Sequence, residues 1–198
     1  MHPPPTAFLI IDGRRWRTSD PSIPANLRQE LVNELMAARR AVRDSKNQRA
    51  IRSSRRRVNE AKVALGERGH AWWLPPRTAA TNTRIDAAIR ALLRSRQADR
   101  SICPSDVARI VGGVTWRTLL PAVRDRAVRI TKRGELEILR RGRVVTSRPT
   151  EGVLRYRLTE AGATRPPGPA ANEPSVLPKA RTSTQRSPRP SIRRSNRC

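Results

Sequence analysis

Apolar residues recur along this chain with two periods, and the changes of period mark its elements. Phe8-Leu9-Ile10-Ile11 and Arg14-Arg15-Trp16-Arg17 flank Asp12-Gly13. Asp-Gly suits a two-residue hairpin turn, whose positions both need positive φ, so two short strands are expected over 8–17. Asp20-Pro21-Ser22-Ile23-Pro24 reads as a turn into a helix, with Pro24 in the first helical turn and Ser22 or Ile23 before it. From Ala25 onward, Leu27, Leu31, Leu35, Ala38 and Val42 form one helical stripe. A second stripe, Ile51, Val58, Ala61 and Leu65, ends at Gly66 and Gly69, both good helix stops. The polar stretch Arg43 to Gln48 lies between them. An antiparallel helical hairpin is preferred, because a lone helix cannot bury its stripe. One long helix, or a dimer burying the stripes between chains, are the alternatives. Trp72-Trp73-Leu74-Pro75-Pro76 ends this part. Trp16 is expected to pack with one of these tryptophans; an exposed Trp that binds a partner is the other reading.

The helical period resumes after Thr81. Thr83 and Asp86 have capping-box spacing, and Ile85, Ala88, Ile89, Leu92 and Leu93 share a face as far as about Arg96. Pro104 and Asp106 suit the start of a second helix, which buries Val107, Ile110 and Val111 and stops at Gly112-Gly113. A third stripe runs through Trp116, Leu120, Val123, Ala127 and Ile130. If this helix starts near Thr115, Pro121 kinks it; a short turn before Pro121 and a longer helix after it fit equally well. Gly134 closes it. Leu136 to Leu139 alternates as a strand, Arg140-Arg141-Gly142-Arg143 turns, and Val144-Val145 begins the return. Over 153–158 the chain alternates again, with Leu154, Tyr156 and Leu158 on one face. Three helices followed by a basic hairpin is the element order of a winged helix-turn-helix. The fold class expected is therefore mainly α with a small β-hairpin. Residues 1–74 would form a β-hairpin and helical hairpin module, 75–80 a linker, 81–160 the winged-helix domain and 161–198 a disordered basic tail.

Composition narrows the function. The 198 residues carry 42 Lys and Arg against 16 Asp and Glu, a net charge of +26. Such a surplus favours polyanions, nucleic acid first and anionic lipid second. Only four of the 42 are Lys, so part of the charge is what a GC-rich genome writes wherever any basic residue will do. Aromatics make up 3%, too few for a base-stacking groove. Cys103 and Cys198 are far apart and form no disulfide framework, and with only two histidines no zinc site assembles. No cofactor is expected. No apolar run approaches the ~20 residues of a membrane span, and Phe8 to Ile11 is too short for a signal segment. The cytoplasm is the expected compartment.

The candidate chemistry is that of binding. Arg117, Thr118, Arg124 and Asp125 fall off the stripe of the third helix. In a major groove its early exposed positions would meet base edges and its later ones phosphates. Arg140, Arg141 and Arg143 crowd the hairpin tip, with Arg148 nearby, where guanidinium groups could reach phosphates or a narrow minor groove. A plainly solvated tip is the competing reading. Double-stranded DNA is the expected partner, with a homodimer through the N-terminal helices as the alternative and no small-molecule substrate evident. Catalysis would fall to Cys103 at a helix N-terminus, but no histidine is placed to assist it. The scattered carboxylates are expected to be ion-paired, so the protein is not expected to be an enzyme.

Ser101-Ile102-Cys103-Pro104-Ser105-Asp106-Val107-Ala108-Arg109, then Trp116-Arg117, Val123-Arg124, Gly134 and Arg155-Tyr156-Arg157-Leu158, resemble a bacterial family of unknown function. Its signature is Ser-x-Cys-Pro-Ser-(Glu/Asp)-Val-Ala-Arg. The resemblance covers about 84–158 and implies a winged-helix-like fold without an established activity. The Arg-rich wing and the fused N-terminal part depart from the family's pattern. Gly13 to Arg17, Asp20 to Pro24 and Ala64 to Gly69 resemble small actinobacterial proteins, some labelled biopolymer transporter, a label that no membrane segment here supports.

Overall fold

Asp12 and Gly13 take φ of 50° and 71° and join β1 (Phe8–Ile11) to β2 (Arg14–Arg17) as the sequence predicts. The computed structural model describes residues 2–96, 100–145, 152–159 and 162. The basic tail expected over 161–198 lies outside the described residues apart from Gly162. In the hairpin Phe8 stands opposite Arg17 and Leu9 opposite Trp16, which puts Phe8 and Trp16 on different faces. Trp73 therefore packs against Phe8 and not against Trp16: the ring centroids are 5.5 Å apart, edge to face. Trp16 stays 44% exposed, with the Lys62 ammonium 5.2 Å from its ring. Trp72 meets Trp73 edge-on and donates its Nε1–H to Thr18 O.

Two antiparallel helices follow, α1 (Ala25–Asp44) and α2 (Gln48–Ala64). Leu27, Leu31, Leu35 and Ala38 are buried within the chain, as are Ala61 and Leu65. Asn47 caps α2 by accepting the Arg49 N–H. At the other end, Glu67 N–H reaches Lys62 O and Gly66 N–H reaches Val63 O. This double closure needs a left-handed residue, and Gly66 supplies it with φ of 81°. A Cβ there would sit 3.1 Å from Trp72 and 3.2 Å from Asp20, so the same glycine lets the tryptophan clasp close.

α3 (Thr78–Arg96) begins inside the stretch read as a linker. Ala79 and Ala80 are strong helix formers, and they carry the helix back almost to Pro76. Thr83 is consequently interior and donates its hydroxyl to Ala79 O, while Asp86 pairs with Arg126. The expected Thr83 capping box does not form. The real one is a step later: Cys103 precedes α4 (Pro104–Gly112), and Asp106 accepts the Cys103 N–H. Before it lies β3 (Ser101–Ile102), a strand that the sequence reading did not assign.

A 3-10 segment, Gly113–Leu119, leads into α5 (Leu120–Thr131). Pro121 thus occupies the first turn of α5, where it costs nothing, and the second of the two readings of this region holds. β4 (Leu136–Arg140), β5 (Arg143–Val144) and β6 (Leu154–Leu158) complete an antiparallel sheet in the order β3-β6-β4-β5. One hydrophobic core runs from Ile23, Leu31 and Leu65 through Ile85, Ile89 and Leu92 to Ile110, Ile130 and Tyr156. Leu92 has no exposed surface. Its replacement by Ala removes buried volume from that core and should cost about 2–5 kcal/mol. Urea denaturation followed by far-UV circular dichroism should show a single transition shifted to lower denaturant. A second transition left in place would mean that the core is not shared.

Candidate nucleic-acid interface

The turn after α4 is built by two glycines. Gly113 takes φ of 49°, and a Cβ on it would lie 2.9 Å from Ser22 Oγ. A Cβ on Gly112 would lie 2.8 Å from Leu119 Cδ1. The positive φ at Gly113 is a conformation that favours glycine, and a side chain at Gly112 would press on Leu119. Thr115 then donates to Gly112 O and Thr118 to Thr115 O. Trp116 is half-buried, with the Arg109 and Arg117 guanidinium carbons 4.9 and 4.6 Å from its ring centroid. Arg117 and Thr118 are exposed, as the sequence suggests. The Thr118 hydroxyl hydrogen is used locally, which leaves its oxygen to accept.

Arg124 is placed differently. It is half-buried on α5, and its Nε is buried without a hydrogen-bond partner among the described residues. The exposed stripe of α5 is Pro121, Asp125 and Arg129. The helix thus offers Arg129 where the sequence reading put Arg124, with a carboxylate one turn before it. Helical spacing from Pro121 was the signal that would have found Arg129, once the helix start was known.

The β4–β5 turn is the second group. Arg141 and Gly142 take φ of 48° and 77°, a two-residue turn that sets Arg140 opposite Arg143. Arg140, Arg141 and Arg143 are all exposed. The Arg140 Nε lies 3.1 Å from where a Cβ would project at Gly152, so that side chain crosses bare backbone. Arg148 lies outside the described residues. On β6, Arg155 donates to Ser101 Oγ and Arg157 to Glu137, which ties both arginines into the sheet.

Many other arginines are committed to carboxylates, as expected. Arg84 pairs with Asp20, Arg57 with Glu34, Arg90 with Glu135, Arg94 with Glu60, Arg96 with Glu30 and Asp106, and Arg126 with Asp86. Burial would lower the basicity of Arg90, but the Glu135 hydrogen bonds and the charges of Glu60, Glu135 and Asp86 outweigh it and hold the group above its ordinary value.

Cys103 is a helix cap here. Its Sγ accepts the Ser105 hydroxyl at 2.9 Å. Among the described residues no three His, Cys, Asp or Glu side chains gather where they could hold a metal ion. No described helix is long and apolar enough to cross a membrane.

Tyr156, the one tyrosine of the chain, is fully buried, with no hydrogen-bond partner for its hydroxyl among the described residues. Burial pushes its phenol up. The Arg124 charge opposes this and Cys103 adds to it. A raised native value makes this group's contribution to stability full below about pH 10, the unfolded range, and progressively lost as pH rises beyond it. Spectrophotometric titration should therefore show no tyrosinate step near about pH 10 in the folded protein and a normal step in urea. A native step at that pH would contradict the burial.

None of the curated proteins matches the chain. The stretch carrying the 3-10 turn, α5 and the β4–β5 tip does have relatives: residues 82–159 match the model of a family described as "Protein of unknown function (DUF3253)".

Proposed function

We propose that the protein binds double-stranded DNA through a winged helix-turn-helix formed by α3, α4, α5 and the β-sheet. The element order supports this reading: three helices with a short strand between the first two, then three antiparallel strands of which the last pairs with that first strand. The 3-10 turn and α5 would enter the major groove, with Arg117 and Thr118 at base edges and Arg129 closer to phosphate. Arg140, Arg141 and Arg143 at the β4–β5 tip would contact phosphates or the minor groove. The observation that carries the proposal is this tip, where three exposed arginines crowd a two-residue turn.

The protein acts in this reading by binding, without catalysis or a cofactor, and works in the cytoplasm where duplex DNA is available. Cys103 is left structural, engaged by Ser105. A gel-shift salt series on the full chain tests the proposal. Binding at about 50 mM salt that weakens steeply towards about 200 mM is the expected result. The substitutions Arg141→Ala and Arg143→Ala together should flatten the logarithmic salt slope by about 2, one phosphate for each arginine. Failure to bind any duplex at about 50 mM salt would overturn it.

A further inference from the structure

We propose that the free end of the α1–α2 hairpin is a second phosphate-contacting surface, an arm that lies along the backbone of duplex DNA beyond the site bound by α5 and the β4–β5 tip. The nature of its partner rests on the DNA-binding reading above; the surface itself stands on separate observations.

The first is where the core ends. The core takes Leu27, Leu31 and Leu35 from α1, then Ala61 and Ala64 from α2 and Leu65 just after it, with Val32 and Val58 packed at its border. From 36–57 only the small side chains of Ala38 and Ser54 are buried, and no large apolar one is. The last two turns of α1 and the first two of α2 therefore contribute little to it. A hairpin end that contributes little to the core is available for contact.

The second is charge. Arg39, Arg40, Lys46, Arg49, Arg52 and Arg55 are all exposed on this end, away from the buried stripes. Between Leu35 and Asn59 the sequence holds one carboxylate, Asp44, and Arg43 already pairs with it. The contrast with the helices' other halves is sharp. There Glu30, Glu34 and Glu60 each hold an arginine. Among the described residues, positive charge is neutralised where the hairpin meets the core, whereas Arg39, Arg40, Lys46, Arg49, Arg52 and Arg55 have no carboxylate beside them.

The third is the placement of those charges on α2. A helix N-terminus carries partial positive charge and is stabilised by acidic residues. The first turn of α2 has none, and Arg49 sits in it. Arg52 and Arg55 follow at three-residue steps, which bring like charges onto one side of the helix. This arrangement opposes itself in the isolated protein and is relieved by an external polyanion.

Duplex DNA is favoured over a lipid surface. An interfacial helix needs several large apolar side chains beside its basic ones, and over 36–57 Met36 is the one such side chain exposed. All but one of the six cations are arginines, whose planar forks match phosphate oxygens.

The test uses the full chain and a long random-sequence duplex, with fluorescence anisotropy measured across a salt series. One variant carries Arg39→Gln, Arg40→Gln, Arg49→Gln, Arg52→Gln and Arg55→Gln; a second carries Arg117→Gln, Arg140→Gln, Arg141→Gln and Arg143→Gln. Circular dichroism verifies that both fold. Every phosphate that is no longer neutralised lowers the logarithmic salt slope by about 0.9. The arm variant should flatten the slope by about 3 or more while keeping residual binding. An unchanged slope for that variant, with a flattened slope for the second variant, overturns the arm and leaves the DNA-binding reading standing. Binding that disappears in the arm variant alone supports the arm and overturns the assignment to α5 and the wing tip. Loss of binding to phosphatidylserine vesicles with an unchanged DNA slope overturns the arm as a DNA surface and makes it a lipid one. No binding of the unaltered chain to the duplex overturns both proposals.

Discussion

Helix α3 is buried on most of its circumference, and this constraint organises the rest of the protein. Ile85, Ala87, Ala88, Ile89, Ala91, Leu92 and Leu93 are all buried, more than one amphipathic face can supply. From Arg84 to Arg96 the remaining positions, Ser95 apart, carry charge, and burying a charge near a core demands a partner. Each partner comes from a different element. Arg84 reaches Asp20 before α1, Arg94 reaches Glu60 on α2, and Arg96 reaches Glu30 on α1 and Asp106 on α4. Asp86 holds Arg126 on α5, and Arg90 holds Glu135 at the start of β4. Such pairs add little net stability against an apolar replacement, yet losing one partner strands a charge at a cost of about 3–5 kcal/mol. They therefore act mainly as fasteners that fix where each element docks.

The same pairing divides the arginines into two populations. Carboxylates are scarce, 16 against 42 cations, and many of them are used around α3 and in the lower half of the α1–α2 hairpin. Among the described residues, exposed arginines lie on the 3-10 turn, at the β4–β5 tip and on the hairpin's free end, and also at Arg14 and Arg15 of the first hairpin, at Arg77 and Arg100, and at Arg129 on α5. A total charge of +26 is in this sense not a uniform coat. Among the described residues, part of it remains exposed after internal pairing. The GC-rich explanation for abundant arginine accounts for its number and leaves its placement unexplained.

Much of the fold was legible in the sequence. Asp12-Gly13 gave the first hairpin, the Leu27 and Val58 stripes gave α1 and α2, and alternation over 153–158 gave β6 with its buried face. The misreadings share one cause: local signals were overridden by partners distant in sequence. Thr83 and Asp86 have capping-box spacing, but Asp86 is claimed by Arg126, forty residues on, and the alanines before Thr83 extend the helix. Trp16 was expected to pack with Trp72 or Trp73, but strand register puts Phe8 and Trp16 on different faces, and Trp73 packs on the Phe8 side. Two-residue β3 has no period to read, since its identity comes from pairing with β6. For the candidate interface, Arg117 and the β4–β5 tip were visible as off-stripe and turn positions, whereas Arg129 required knowing that α5 starts at Leu120. The arm was hidden because a stripe shows which face is buried and not where along the helix the core stops.

The division of arginines is open to direct measurement by phenylglyoxal modification read by mass spectrometry, with and without saturating duplex DNA. Arg84, Arg90, Arg94, Arg96 and Arg126 should resist modification in both states. Arg39, Arg40, Arg117, Arg141 and Arg143 should react in the free protein and be shielded by the duplex. Equal reactivity of the two sets in the free protein would contradict the pairing around α3, and exposed arginines that react unchanged at saturating duplex would contradict the assignment of the leftover charge to nucleic acid.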